Sequence, residues 1–107
     1  MAKSNYFQVS TAIDYPSGLP HGGHLYEKVC ADVIARWKRL QGFKVHFSTG
    51  LDEYGSKIAK CAKAKGMEPQ KFVDYMSQFF LKLCKLYNIS YDDFIRTTEK
   101  RHESVVN

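Results

Sequence analysis

A chain of 107 residues holds one domain at most, and 44% hydrophobic with 25% charged residues is the make-up of a soluble, folded protein rather than a disordered one. Sixteen Lys and Arg against eleven Asp and Glu give a formal charge of +5, a mild bias toward anionic partners such as nucleotide or RNA. No run reaches the ~18 apolar residues of a membrane span, and no apolar leader segment is visible before the first strand, so neither a span nor a signal peptide is expected and the expected location is the cytoplasm or an organelle interior.

Cys30, Cys61 and Cys84 are odd in number, widely spaced and without a C-x-x-C pair. They read as small buried apolar side chains in a reducing compartment, not as a disulfide frame or a zinc knuckle. No internal repeat or low-complexity segment is present.

Residues 5–12 are rich in β-formers and too continuous for a one-sided sheet, so they predict a buried parallel strand. A loop over residues 13–22 carries Pro16, Gly18 and Pro20. From Gly23 to Gln41 apolar residues fall at Leu25, Val29, Val33, Trp37 and Leu40, with Cys30 and Ile34 beside them, which is helix period with a stripe wide enough to cover a sheet face. Gly42 is a helix stop. Val45 to Ser48 form a second strand. Strand, helix and strand with short links make a βαβ unit, hence a parallel pair.

Ser56–Lys65 predicts an exposed, lysine-rich helix closed by Gly66. The cluster Lys57, Lys60, Lys63 and Lys65 reads as its solvated face. A further helix starts near Pro69, which suits a first turn, and carries Phe72, Met76, Phe79, Phe80, Leu83 and Tyr87 as a core stripe; Asn88 ends it. Tyr91 to Thr97 hold a short third strand. Thr98 then reads as the N-cap of a last helix running to Asn107.

The loops after the first and second strands leave from one carboxyl edge, where open α/β sheets bind ligands. The first ends in His21-Gly22-Gly23-His24 at a helix start, a place that offers backbone N–H groups and the positive end of the helix dipole to an anion. Three readings of His21 and His24 follow. As a metal pair they lack further ligands at a familiar spacing. As isolated imidazoles they are satisfied surface or core groups. As fixed donors beside a glycine pair they hold a phosphate and strengthen as charge builds on it. Asp52, in the second loop, is either a turn residue or a carboxylate for a ligand cation. Ile13 and Tyr15 line the cleft between. The residues alone thus reach a nucleotide-phosphate site beside a pocket for a small cationic ligand.

Four blocks in order carry a resemblance: T-A-I-D-Y-P-S-G-L-P-H-G-G-H-L-Y-E, A-D-V-I-A-R-W-K-R-L-Q-G, S-T-G-L-D-E-Y-G-S-K-I and I-S-Y-D-D-F-I-R-T-T-E-K-R-H. They are similar to the N-terminal region of the methionyl-tRNA synthetases, class I aminoacyl-tRNA synthetases. The resemblance implies an α/β fold for residues 1–107: the N-terminal half of a doubly wound, Rossmann-type parallel sheet, about three strands with flanking helices, forming the first half of a nucleotide-binding catalytic domain. It implies that His21 and His24 contact the ATP phosphates and stabilise adenylyl transfer, that Gly23 lets adenine pack on the backbone, and that Glu27 touches the adenosine. Asp52 is implied to hold the methionine ammonium, with Ala12, Ile13 and Tyr15 bordering the amino-acid pocket. The implied reactants are ATP with Mg²⁺, methionine and tRNA, without a structural zinc in this chain.

Two residues depart from the family pattern. Gly22 stands where Ile or Leu is usual, and Tyr54 where the second loop usually has His. The matched region also stops short of the family's lysine-bearing K-M-S-K-S loop, the second half of its sheet and its anticodon-binding helices. This leaves one edge of the first strand open, to be covered by the remainder of a synthetase or by a second copy. The tRNA would then be met through parts outside this chain. An alternative is a stand-alone synthetase-like paralogue that binds nucleotide or a partner without turnover.

Overall fold

The computed structural model describes residues 5–106, in the order β1 (Tyr6–Ser10), α1 (Gly22–Leu40), β2 (Lys44–Leu51), α2 (Ser56–Ala64), α3 (Pro69–Leu86), β3 (Asp93–Arg96) and α4 (Lys100–Val106). The strands form one parallel sheet in the order β1-β2-β3, with Tyr6 opposite Lys44 and Ser48 opposite Asp93. This is the expected α/β half-sheet.

Three helices end in the same way. After α1, Phe43 N–H donates to Lys38 O and Gly42 N–H to Arg39 O; after α2, Met67 N–H donates to Ala62 O; after α3, Ile89 N–H donates to Cys84 O. Each is the two-bond stop that needs a residue with positive φ just past the helix, supplied by Gly42 (90°), Gly66 (67°) and Asn88 (52°). The chain is thereby turned back toward the sheet each time.

Two apolar clusters hold the elements together. Val9 and Phe47 of the sheet, Ala31 and Ala35 of α1, Cys84 of α3 and Ile89 form one; Ile58 and Ala62 of α2 with Phe72, Val73 and Met76 of α3 form the other. Phe72, Met76 and Phe80 are buried as the α3 stripe predicts, but Cys84 takes the inward place and Tyr87 lies 51% exposed. Tyr87 sits at the helix stop, where the chain has already begun to turn.

The face of α1 differs from expectation. Its buried residues are Lys28, Ala31, Asp32 and Ala35, whereas Val33, Trp37 and Leu40 are exposed. Two alanines allow a close approach to the sheet. Asp32 is satisfied by Ser90, through its N–H and its hydroxyl, and by Arg36. The large apolar side chains, offset by about one position, face outward. Cys30 goes with them and is exposed, so of the three thiols only Cys84 is buried.

β1 is an edge strand with only Val9 buried, not the buried strand that its composition predicts; its other edge carries no strand among the described residues. Thr98 does not cap α4. Its hydroxyl donates to Glu53 Oε1 at 2.6 Å, and the helix begins two residues later. The predicted end of that helix at Asn107 lies outside the described residues. Among the described residues no helix is long and apolar enough to cross a membrane.

Candidate functional site

The two loops run side by side. Beyond β1 the chain stays zipped to β2: Thr11 N–H donates to Ser48 O (3.1 Å), Asp14 N–H to Gly50 O (3.1 Å), and Asp52 N–H back to Asp14 O (2.8 Å). Gly50 makes the neighbouring pairing possible, because a Cβ there would lie 2.1 Å from Ile95 O. Beneath this junction the Asp14 carboxylate accepts from the Lys28 ammonium, with Lys28 at 0% and Asp14 at 8% exposure. Burying either charge alone is costly, so the pair cross-links the first loop to α1, one turn after His24.

The His-Gly-Gly-His start of α1 is a reciprocal cap. His21 Nδ1 accepts from Gly23 N–H (3.0 Å), and His24 Nδ1 accepts from His21 N–H (3.1 Å). Two of the otherwise orphaned N–H groups at the helix start are thus satisfied by imidazole nitrogens, in the geometry that Ser and Glu more often provide. An accepting Nδ1 carries no proton, so each neutral ring bears its hydrogen on Nε2 and presents a donor there. The rings stack, with centroids 3.9 Å apart, and Phe80 of α3 packs edge-on against His24 at 5.4 Å. A Cβ on Gly23 would come within 2.9 Å of His21 Cε1, so the cap excludes a side chain there, while Gly22 faces open space.

Burial holds the His24 ring below the ordinary imidazole value of 6.5; the Asp14 carboxylate opposes this, and His21 and Lys28 reinforce it. His24 is therefore neutral at pH 7, as its role in the cap requires.

A cavity of about 380 Å³ opens at this junction, lined in part by Ile13, Asp14, Tyr15, His21, His24 and Lys57. Tyr15 and Lys57 also border an adjoining hollow of about 240 Å³ that reaches Tyr54 and the start of α2. A larger hollow, about 480 Å³, is lined by Lys82, Cys84, Asn88 and Tyr91 at the end of α3 and receives none of these donors.

The structure thus brings Ile13, Tyr15, His21 and His24 into one cavity, with Gly23 behind His21. Glu27 lies on the next turn, and its Oε1 is buried without a hydrogen-bond partner. Ala12 is exposed, its carbonyl accepting from the Thr11 hydroxyl at 2.7 Å. Asp52 is not among the lining residues of the cavity; its Oδ1 accepts from Tyr54 N–H at 3.3 Å, as a turn residue does, and it joins the site through its N–H to Asp14. Tyr54 is drawn toward α4, its hydroxyl donating to Glu103 Oε1 at 2.6 Å.

Several residues of the site carry no motif. Asp14 and Lys28 look like any loop acid and helix lysine. Glu53, buried at 3% exposure, is held by Arg96 Nε (2.9 Å) and Thr98 Oγ1 (2.6 Å), while its N–H donates to Thr97 Oγ1 (2.8 Å). Arg96 also reaches Asp74 of α3 at 2.6 Å. This network fixes the loop bearing Asp52 to β3 and α3.

A parallel half-sheet with two side-by-side loops at its carboxyl edge, and a donor-bearing helix start between them, is a unit of the doubly wound α/β class. The profile of the family described as tRNA synthetases class I (M) matches residues 7–107, and the chain belongs to that family. It is 51% identical over 102 residues to the methionine–tRNA ligase of Rickettsia felis, a match covering 95% of this chain and 20% of that protein. It is likewise 51% identical over 100 residues to methionine–tRNA ligase 1 of Bacillus cereus, covering 94% of this chain and 15% of the relative. In structure it resembles the Mycobacterium tuberculosis methionyl-tRNA synthetase in complex with methionyl-adenylate, with a TM-score of 0.91 and 43% identity over 92% of this chain and 19% of that one. The chain therefore spans about a fifth or less of the length of these relatives.

Proposed function

We propose that residues 1–107 are the first half of the nucleotide-binding catalytic domain of a methionine–tRNA ligase, and that the cavity at His21 and His24 receives the phosphates of ATP. The observation that carries this reading is the reciprocal imidazole cap: it occupies both Nδ1 atoms and leaves two Nε2–H donors on one cavity beside a helix N-terminus. The unpartnered Glu27 Oε1 fits a nucleotide as well, since a ribose hydroxyl would satisfy it.

In the reaction a methionine carboxylate oxygen bonds to the α-phosphorus while the bond from that phosphorus to pyrophosphate breaks, its electron pair leaving with the pyrophosphate. Negative charge grows on the phosphate oxygens, where fixed Nε2–H donors stabilise it more strongly than in the ground state. Mg²⁺ enters with the nucleotide phosphates as part of the substrate. Ile13 and Tyr15, with Ala12 beside them, border the methionine. Asp52, whose Oδ1 accepts from Tyr54 N–H, offers its other carboxylate oxygen to the methionine ammonium. The adenylate then passes to tRNA, which is met through parts of the ligase outside this chain. The remainder of such a ligase covers the open edge of β1 and the outward stripe of α1.

A binding module without turnover is the second reading, favoured by Tyr54, which stands at the usual histidine position and is tied to Glu103. Titrating ATP and then methionine into the folded chain, with adenylate followed by mass spectrometry, decides between them. Saturable ATP binding with adenylate formed, alone or after addition of the missing part of a ligase, supports the ligase. Binding without adenylate in any combination supports the module, and a folded chain that binds neither ligand ends both readings.

A further inference from the structure

Lys57 occupies a position that the fold itself does not favour. It lies in the first turn of α2, which has Gly55 as N-cap, no side-chain capping bond and no acidic residue to offset the helix dipole. A cation there is repelled by the dipole. No carboxylate lies within ion-pair distance of it among the described residues. A side chain that breaks a local rule without a structural return is expected where function sets the choice.

Its place supplies that function. Lys57 lines the same cavity as His21 and His24, and it borders the adjoining hollow as well. The other cation near this junction, Lys28, is fully buried and committed to Asp14. Lys57 is thus the cation of the cavity wall whose ammonium remains available, and the acid of that wall, Asp14, is already neutralised. Neutral histidines give directional donors but no charge, whereas a nucleoside triphosphate brings about four negative charges to neutral pH. We propose that Lys57 is a polyphosphate ligand, its ammonium reaching the β- and γ-phosphates of the bound nucleotide and the pyrophosphate that departs from it. This rests on the nucleotide reading above and adds a residue of α2 to it.

The test is isothermal titration of the 107-residue chain and its Lys57→Met variant with ATP, AMP and inorganic pyrophosphate, with Lys60→Met as a control of equal charge change. Lys57 is exposed, so the variant keeps the fold, which circular dichroism checks. ATP and pyrophosphate dissociation constants should rise roughly tenfold in Lys57→Met, AMP should change less than about twofold, and Lys60→Met should bind all three as wild type. Unchanged ATP affinity in Lys57→Met, or an equal loss in Lys60→Met, overturns the assignment while leaving the nucleotide reading intact. A folded wild-type chain that binds none of the three overturns that reading, and this assignment falls with it.

Discussion

Replacing Lys28 by methionine removes the cation from beneath the site while keeping much of the side chain's volume. Asp14 then keeps a carboxylate at 8% exposure with no counter-charge. Breaking a buried pair from one side costs about 3–5 kcal/mol, mostly the desolvation of the charge left behind. A domain of this size is stable by only about 5–15 kcal/mol, so the variant loses a large share of its stability. With a urea slope of about 1–3 kcal/mol per molar, the unfolding midpoint falls by at least ~1 M. Removing both charges in Asp14→Leu with Lys28→Met also removes the desolvation term, and the double variant should recover most of the loss. Equilibrium urea unfolding of the wild type, both single variants and the double variant closes the cycle. A single Lys28→Met loss under about 1 kcal/mol, or a double variant no more stable than that single one, would refute the idea that this pair clamps the first loop to α1.

Gly50→Ala should break the β2–β3 pairing, because the new methyl meets Ile95 O at 2.1 Å; a loss of roughly 1–3 kcal/mol or more is expected in urea unfolding. Gly22→Ala points into open space at the first helical position and should stabilise by up to about 1 kcal/mol, read as a rise in melting temperature. The His24 ring, held down chiefly by burial, should titrate below 6.5 by NMR, with its neighbour His21 resolved separately. Since the folded value lies under the unfolded one, the unfolded chain takes up the proton first. The stability that the neutral ring contributes is complete above 6.5 and is lost as pH falls through the lower, folded value. Asp32 adds a second acid-sensitive step. Burial pushes its carboxyl up, but the bonds from Ser90 and Arg36 outweigh this and hold it below 3.8, so its contribution disappears only as pH falls beneath that value.

The sheet, its parallel sense and the shared edge of the two loops were legible because strand–helix–strand spacing and the stops at Gly42, Gly66 and Asn88 are local signals. That His21 and His24 share a helix start and a cavity was legible too, since both flank a glycine pair just after the first loop. What the periodicity of α1 could not reveal is which face meets the sheet. Hydrophobicity marks Val33, Trp37 and Leu40, yet Ala31 and Ala35 are small enough to approach the strands, and Lys28 and Asp32 are buried by pairing rather than by apolar character. Nor does composition tell a central strand from an edge one. The run Tyr6 to Ala12 has the residues of a buried strand, while the described chain supplies a partner on one side only. Asp14, Glu53 and Arg96 escaped notice because an ion pair between residues far apart in sequence leaves no periodic trace.

Each imidazole of the cap has two nitrogens with different duties: one ring atom fastens the start of α1, the other is left outside the cap. Truncating either histidine to alanine consequently frays the start of α1 as well as removing its Nε2–H, so a loss of ligand binding in such a variant mixes the two effects.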